Sequence, residues 1–447
     1  MTKKKLLIYY PSFERGGVEE NLKNLINTFS SKVDLHLISS ISQKDTRGIS
    51  NKNCKFYNVK KSQILNFLPS RINSALSSMF LLFKLIKRKK KKNLVVHSMQ
   101  SNIAAIIVCY IANVKIVIRN SEDPIYSTIY SENKIFSFFI FFLKIIFYNL
   151  CNCIVTNSYG SKRSLTKIVL NKNKIVTIYN PYLKKINRKK FKKKNIIINI
   201  GRFRKQKNQI LLIKAFYEFS KIHKQYKLLL IGDGILKNRL LSEISNLDLN
   251  NKVFLRGWTN NTLKYVKNAK LFVFTSLYEG LGNVLIDAIN YDVPCISTNC
   301  KSGPNEIIKN NLNGYLVDYQ NVKDLKNKIV KILNKNVNRK NIISTVSKNQ
   351  THRVNNLYEK VINEFDDTFI TLQNKKKFLR GMRILHIITG LGDGGAENTL
   401  YKVCKNDLKN DHIVISLTNL GKYHSLIKNL GIKVYNLDLK FYSFLKF

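Results

Sequence analysis

The chain of 447 residues carries 77 Lys+Arg against 27 Asp+Glu, a formal net charge of +50, with 44% hydrophobic residues. That apolar content excludes wholesale disorder, and the length suffices for two or three domains with substantial cores. The basic excess points to an anionic partner, whether membrane surface, nucleic acid or phosphorylated ligand, although Lys, Asn and Ile abound everywhere, as AT-biased codons would make them.

The opening "MTKKKLLIYYPSFERGG" has a basic start but too short an apolar run for a secretory signal. "KLLIYY" reads as a strand and "GGVEENLKNLINTF" as the helix after it. "VDLHLISS", "NLVVHS", "VKIVIRN" and "CNCIVTNS" are further short β-rich runs. Strands alternating with helices predict a parallel sheet wrapped on both faces. "IFSFFIFFLKIIFY", residues 135–148, is too short to span a bilayer and is interrupted by Lys144. A buried helix is expected there, with a membrane-dipping helix as the alternative. The seven cysteines show no metal or disulfide framework and read as buried free thiols, as in a reducing cytoplasm.

The alternation breaks over "TIYNPYLKKINRKKFKKK", where Asn180-Pro181 is a turn signal before a lysine-dense link. It resumes with "NIIINIGRF", the helix "NQILLIKAFYEFSKIH", and the strands "YKLLLIGDG", "KVFLRG", "AKLFVFTS" and "VPCISTN". The expected fold class is α/β, two doubly wound Rossmann-like domains facing across a cleft. The first spans residues 1–183 and the second 184–370, its last helix returning to the first domain. Ligands of such sheets bind at the C-terminal ends of strands, so the cleft is the expected site.

A partial third α/β segment follows. Gly16-Gly17-Val18-Glu19 matches Gly394-Gly395-Ala396-Glu397 at an offset of 378, and the same offset maps "KFYNV" at Lys55 onto "KVYNL" at Lys433. After a linker at residues 371–381 the chain begins the same kind of domain again at Met382, which could serve as an initiator. The remaining 66 residues are expected to be too few for a complete sheet of this type. They read as the truncated head of a second, related protein; the alternative is a genuine extra subdomain.

Two stretches carry chemistry. In "TSLYEGLGNVLIDAINYDVPCISTNCKSGPNEII" a strand ends in a Gly-bearing turn and a helix begins near Asn283. A helix N-terminus presents free N–H groups and positive potential, which suits a diphosphate or sugar hydroxyls. Glu279 precedes that helix and Asp287 lies eight residues on. Together they can grip hydroxyls at two points of one ligand; alternatively Glu279 caps the helix and Asp287 faces solvent. In "NIGRFRKQKNQILLIKAF", Arg202 and Lys207 follow a strand and a Gly turn. Arg offers bidentate phosphate contacts and Lys a point charge; the alternative is a solvated basic loop.

These two stretches resemble the donor domain of family 4 glycosyltransferases, which have the GT-B fold. The family's carboxylate motif is Glu, seven residues, Glu, and its upstream "GR…K" supplies a diphosphate-binding pair. "LLLIGDGILKNRL" is similar to the family's strand-turn-helix between them, and the N-terminal "GG-V-E" to its first-domain glycine loop. The resemblance covers about residues 5–365 and recurs over 382–447.

It implies that Arg202 and Lys207 neutralise the departing diphosphate and that Glu279 contacts the transferred sugar. The backbone of Gly280, Leu281, Gly282 and Asn283 would touch sugar or phosphate, and Asp287 the ribose hydroxyls. Gly16 and Gly17 would let their loop approach the donor closely, and "FLRGW" at 254–258 would flank the base. Asp287 departs from the family's Glu by one methylene, so its ribose contact could weaken or pass through water. By the same resemblance His97 sits near the donor sugar; the alternative is a structural histidine. Arg119 and Glu122, at the next strand end, face the acceptor in one reading and form a surface salt bridge in the other.

The resemblance further implies a nucleotide-sugar donor, retention of anomeric configuration and no catalytic base, the leaving diphosphate taking the acceptor's proton. No cofactor and no metal are expected: no Asp-x-Asp clamp ends a strand, and Asp366-Asp367 lie in the C-terminal helix pattern.

The basic clusters at Lys84 with 87–92, and over 184–194 where eight of eleven residues are Lys or Arg, suit a peripheral enzyme on an anionic membrane. The expected acceptor is a polyprenyl-diphosphate-linked or other glycan at the inner face of the plasma membrane. The expected reaction moves a sugar, an N-acetylhexosamine from UDP, in bacterial surface polysaccharide biosynthesis. Two competing readings are a polyanion- or nucleic-acid-binding protein and an inactive fusion. No aromatic-interleaved RNA motif or zinc module is present, so no nucleic-acid partner is expected.

Overall fold

The computed structural model describes residues 4–12, 17–40, 53–60, 70–88, 93–183, 185–187, 189–259, 261–334, 339–363, 383–407, 411–430 and 432–438. The chain forms two compact units, Met1–Ile362 and Asn363–Phe447. Gly16, Met382, Asp366, Asp367, the linker at 371–381 and the lysines at 89–92 lie outside the described residues.

In the first unit, β1 (Lys5–Tyr9), β2 (Asp34–Ser39), β3 (Cys54–Asn58), β4 (Leu94–Ser98), β5 (Lys115–Asn120), β6 (Cys153–Thr156) and β7 (Ile175–Thr177) form a parallel sheet in the order β3-β2-β1-β4-β5-β6-β7. β1 is central, Ile8 standing opposite Leu37 of β2 and His97 of β4. Its residues from Leu6 to Tyr9 are all buried, as expected for a parallel strand covered by helices on both faces.

A second parallel sheet contains β8 (Lys194–Ile200), β9 (Lys227–Ile231), β10 (Val253–Arg256), β11 (Ala269–Phe274), β12 (Cys295–Thr298) and β13 (Gly314–Val317) in the order β10-β9-β8-β11-β12-β13. Both sheets reverse direction beside their first strand, the switch point of doubly wound folds, where a crevice opens at the strands' C-terminal ends. Sequence reading missed β7 and β13, and saw β3 only as part of the repeat. "IVT" abuts a stretch dominated by its turn signal, and "GYLV" is too short to show a period.

The Thr351–Asn363 helix crosses back to the first sheet. Asn355 donates to Thr28 at 2.6 Å, Lys32 pairs with Glu359, and the buried Tyr358 ring meets His97 edge-on at 5.9 Å between centroids.

The apolar stretch after Ser131 corrects an expectation. It forms the Lys134–Phe147 helix, capped by the Asn133 side chain accepting from the Phe136 N–H at 3.0 Å, but none of its residues is buried. Ile135 is 88% exposed and Phe136, Phe138, Phe139 and Phe142 are each more than half exposed. The helix rests on neighbouring helices rather than on the sheet, so most of its apolar surface is uncovered. No helix among the described residues is long and apolar enough to cross a membrane. All seven cysteines are free and buried.

The second unit holds β14 (Arg383–Ile388), β15 (Asp411–Ser416) and β16 (Lys433–Asn436), parallel in the order β14-β15-β16. The Gly395–Asn406 and Lys422–Lys428 helices accompany them. Leu391, Leu400, Cys404, Val414, Tyr423 and Ile427 form a small core of their own. The described residues within 383–438 therefore form a three-stranded parallel sheet.

Candidate active site in the cleft of the first unit

Two loops converge where the second sheet's strands end. The turn after β8 carries Arg202, and a 3₁₀ turn at Lys205–Lys207 follows. That turn is latched to the loop after β11. The Leu277 N–H donates to the Gln206 carbonyl at 2.8 Å, Gln206 Nε2 to the Tyr278 carbonyl at 3.0 Å, and the Thr275 hydroxyl to the Lys207 carbonyl at 2.9 Å. The latches place the Lys207 ammonium against the Glu279 carboxylate in a largely buried ion pair, with Lys207 Nζ 4.8 Å from the Phe274 ring centre. Removing either partner would leave the other charge uncompensated in low dielectric.

The helix Asn283–Asn290 starts immediately beyond, with Gly282 at its N-cap in a left-handed conformation, φ 87°. That conformation suits Gly and few other residues. Gly280 is required for a different reason: a Cβ there would lie 1.9 Å from the Ser121 carbonyl oxygen of the first domain. Leu281 is buried in the second domain's core. Asp287 is half-buried and accepts from the Tyr182 hydroxyl at 2.6 Å. Arg202 is exposed. Trp258 and Phe254, both exposed, stand at and beyond the end of β10.

The structure thus joins Lys207 to Glu279 and sets both beside the Gly280–Asn283 turn. Gly17 opens the first helix, Gly17–Phe29. His97 makes its contacts within the first sheet and with the Thr351–Asn363 helix. It is fully buried on β4, with Nδ1 3.3 Å from the Val117 carbonyl and Nε2 without a hydrogen-bond partner among the described residues. Burial, and then the neighbouring Arg119, push its pKa down to about 3, so the ring is neutral. Arg119 corrects another expectation: it is buried rather than facing an acceptor or forming a surface salt bridge. Its guanidinium bonds the Asn180 side chain, and burial lowers its pKa to about 9. Glu122 remains exposed.

Sequence reasoning missed the groups that join the two domains. Asn180 donates to Asn283 at 2.6 Å, so Arg119, Asn180 and Asn283 link the first sheet to the second domain's helix. Glu306 accepts from the backbone N–H groups of Tyr159 and Gly160 and from the Tyr179 hydroxyl, at 3.0, 2.8 and 3.0 Å. Tyr130 of the first domain stacks on Tyr278 of the second, 6.2 Å apart and 6° from parallel. The "NPY" at 180–182 was legible only as a turn, and a lone Tyr or Glu has no sequence signal for such a role.

The site offers a cationic side chain beside a carboxylate at a helix N-terminus, an arrangement able to hold a diphosphate and an adjoining sugar hydroxyl together. Residues 183–349 match the family model described as glycosyl transferases group 1. Over 252 residues the chain is 34% identical to an uncharacterized glycosyltransferase of Methanocaldococcus jannaschii, covering 52% of this chain and 61% of that protein. Over 330 residues it is 30% identical to the N-acetylgalactosamine-N,N'-diacetylbacillosaminyl-diphospho-undecaprenol 4-alpha-N-acetylgalactosaminyltransferase of Campylobacter jejuni, covering 71% and 87%. Among solved structures, a TarM mutant of S. aureus in complex with fondaparinux, alpha-GlcNAc-glycerol and UDP superposes with a TM-score of 0.64 at 17% identity, covering 82% of this chain and all of that one. With the two facing doubly wound sheets, these matches place the chain in the group 1, family 4-like glycosyltransferases of GT-B fold.

Proposed function

We propose that the protein is a retaining glycosyltransferase that moves an N-acetylhexosamine from a UDP-linked donor to a lipid-linked glycan of a bacterial surface polysaccharide. The observation that carries this reading is the Lys207–Glu279 pair at the Gly282-capped helix. The undecaprenol-linked substrate and the N-acetylgalactosaminyl group in the Campylobacter relative's name, and the UDP in the TarM complex, support the acceptor, sugar and donor.

In this mechanism Lys207 and Arg202 hold the diphosphate and take up the charge that develops as the sugar–phosphate bond breaks. Glu279 and the backbone at Gly280–Asn283 orient the sugar. Asp287, steadied by Tyr182, reaches the ribose hydroxyls. The acceptor hydroxyl attacks on the face the diphosphate leaves, and its proton passes to the departing phosphate oxygen. Catalysis is then positioning and electrostatic stabilisation, with no side-chain base and no metal. His97, neutral and enclosed, stabilises the first domain and its contact with Tyr358 rather than touching the sugar.

The exposed apolar helix Lys134–Phe147 would dip into the inner leaflet of the plasma membrane while lysines of this basic chain, Lys134 and Lys144 of the helix among them, meet anionic headgroups. Residues 382–447 resemble the N-terminal region of a second glycosyltransferase, joined through the linker. The testing experiment offers UDP-N-acetylhexosamines and a polyprenyl-diphosphate-linked glycan in anionic vesicles. Transfer with retained configuration, and faster in anionic than in neutral vesicles, is expected. Absence of transfer from every UDP-sugar would sink the reading.

A further inference from the structure

The second unit gathers three metal-ligating side chains that the transfer chemistry does not use. His386 of β14, Cys404 of the Gly395–Asn406 helix and His412 of β15 place their ligand atoms within 4.8 Å of one another. His386 Nε2 is 2.8 Å from His412 Nδ1, and the two rings lie 17° from parallel. Cys404 and His412 are buried.

The fold does not demand polar groups there. By the 378-residue offset, His386 stands where Ile8 stands in the first unit, Cys404 where Ile26 stands, and Asp407 where Phe29 stands. Strand pairing gives the fourth equivalence: Lys5 faces Asp34 and Arg383 faces Asp411, so His412 occupies the place of Leu35. Ile8, Ile26, Phe29 and Leu35 are all buried and apolar. Burying the His412 imidazole in such a place costs solvation energy unless it is paired, and His386 and Asp407, both half-buried, stand beside it. The His–His hydrogen bond uses only one nitrogen of each ring.

We propose that His386, Cys404 and His412 bind a zinc-type divalent cation that consolidates the second unit. Zinc takes nitrogen ligands at about 2.0 Å and thiolate at about 2.3 Å in a tetrahedron. Small side-chain rotations would open the 2.8 Å contact and draw in the sulfur. His412 Nδ1 points at the cluster while its Nε2 lies 3.3 Å from the Asp407 carbonyl and 3.4 Å from its carboxylate. Ligating imidazoles are commonly fixed in this way, the far N–H donating to a carbonyl or carboxylate. On binding, His386 coordinates through Nε2 with its proton on Nδ1, His412 through Nδ1 with its proton on Nε2, and Cys404 releases its thiol proton to water. A half-sheet with so small a core gains much from such a staple.

Full-length protein stripped with a chelator should take up one equivalent of Co²⁺ and develop the near-ultraviolet thiolate-to-cobalt absorption, which Zn²⁺ then bleaches. Cys404→Ile should abolish that band. His386→Ile and His412→Leu, each installing the residue the first unit uses, should weaken uptake at least about tenfold, the lower end of what even an outer-shell change costs. Zn²⁺ should also slow amide exchange in β14 and β15 of the parent and not of the Cys404→Ile protein. A missing band, or one that survives Cys404→Ile, would overturn the proposal and leave the cluster a hydrogen-bonded histidine pair beside an inert thiol.

Discussion

Strands β1–β3 and β14–β16 have the same neighbours in the same order, each with a Gly-Gly-led helix after its first strand, yet their surroundings differ. β1 is flanked on both sides, by β2 and β4, whereas β14 pairs only with β15 among the described residues. Leu7 of β1 is 1% exposed and its counterpart Leu385 of β14 is 54% exposed; Tyr9 is enclosed and its counterpart Ile387 is 63% exposed. Half a doubly wound sheet can fold its helices onto one face, but its other face and one strand edge stay open. Among its described residues the second unit has three strands, and an open apolar edge invites unwanted pairing. On the proposed reading the chemistry comes from the loops after β8 and β11, not from the repeated pattern.

The comparison breaks most readily at the carboxylates. Glu279→Ala is expected to lower turnover roughly 10²–10³-fold, the scale of losing one preorganised polar group. Glu397→Ala, in the second unit's helix, should leave turnover unchanged. Steady-state rates with a common acceptor decide it, and equal losses would mean that the second unit serves the reaction. Next in size, Leu7→Ala should cost about 2–5 kcal/mol of the first unit's stability, while Leu385→Ala should stay within about 0.5 kcal/mol. Denaturant unfolding of the two variants checks this, and similar costs would show that the face of β14 is covered in solution.

A third contrast belongs to β4, which has no counterpart among the described residues of the second unit. His97 has a folded pKa of about 3 against 6.5 unfolded. The unfolded chain therefore binds the proton first, and the stability from the neutral ring, complete above pH 6.5, falls as pH drops toward 3. The contribution is up to about 1.4 kcal/mol per pH unit. His97→Gln should flatten the acid limb of a stability–pH curve by that slope. An unchanged limb would mean that the ring is already solvated.

Much of this was legible in the sequence. Continuous apolar runs such as "NIIINI" announce parallel strands buried on both faces, and the Gly-bearing turns mark the strand ends where Lys207 and Glu279 meet. Helix burial was not legible, because an all-round apolar helix reads the same inside a core as on an uncovered surface; Ile135–Phe147 is the case. Nor were Asn180, Tyr130 and Glu306, whose roles depend on partners more than a hundred residues away. Arg119 ends a strand like a ligand-facing residue, but Asn180 and Tyr358 enclose it.

The central claim is that Lys207 and Glu279 form a nucleotide-sugar donor site, and its most direct test is calorimetric titration of UDP and GDP at physiological salt. The Arg202→Ala/Lys207→Ala protein serves as control, since so basic a chain will attract any phosphate. Saturable binding of UDP, weakened at least about tenfold, or about 1.4 kcal/mol, in the control is the expected result. Weak binding of both nucleotides, equal in the control and removed by added salt as screened surface attraction would be, would contradict the account.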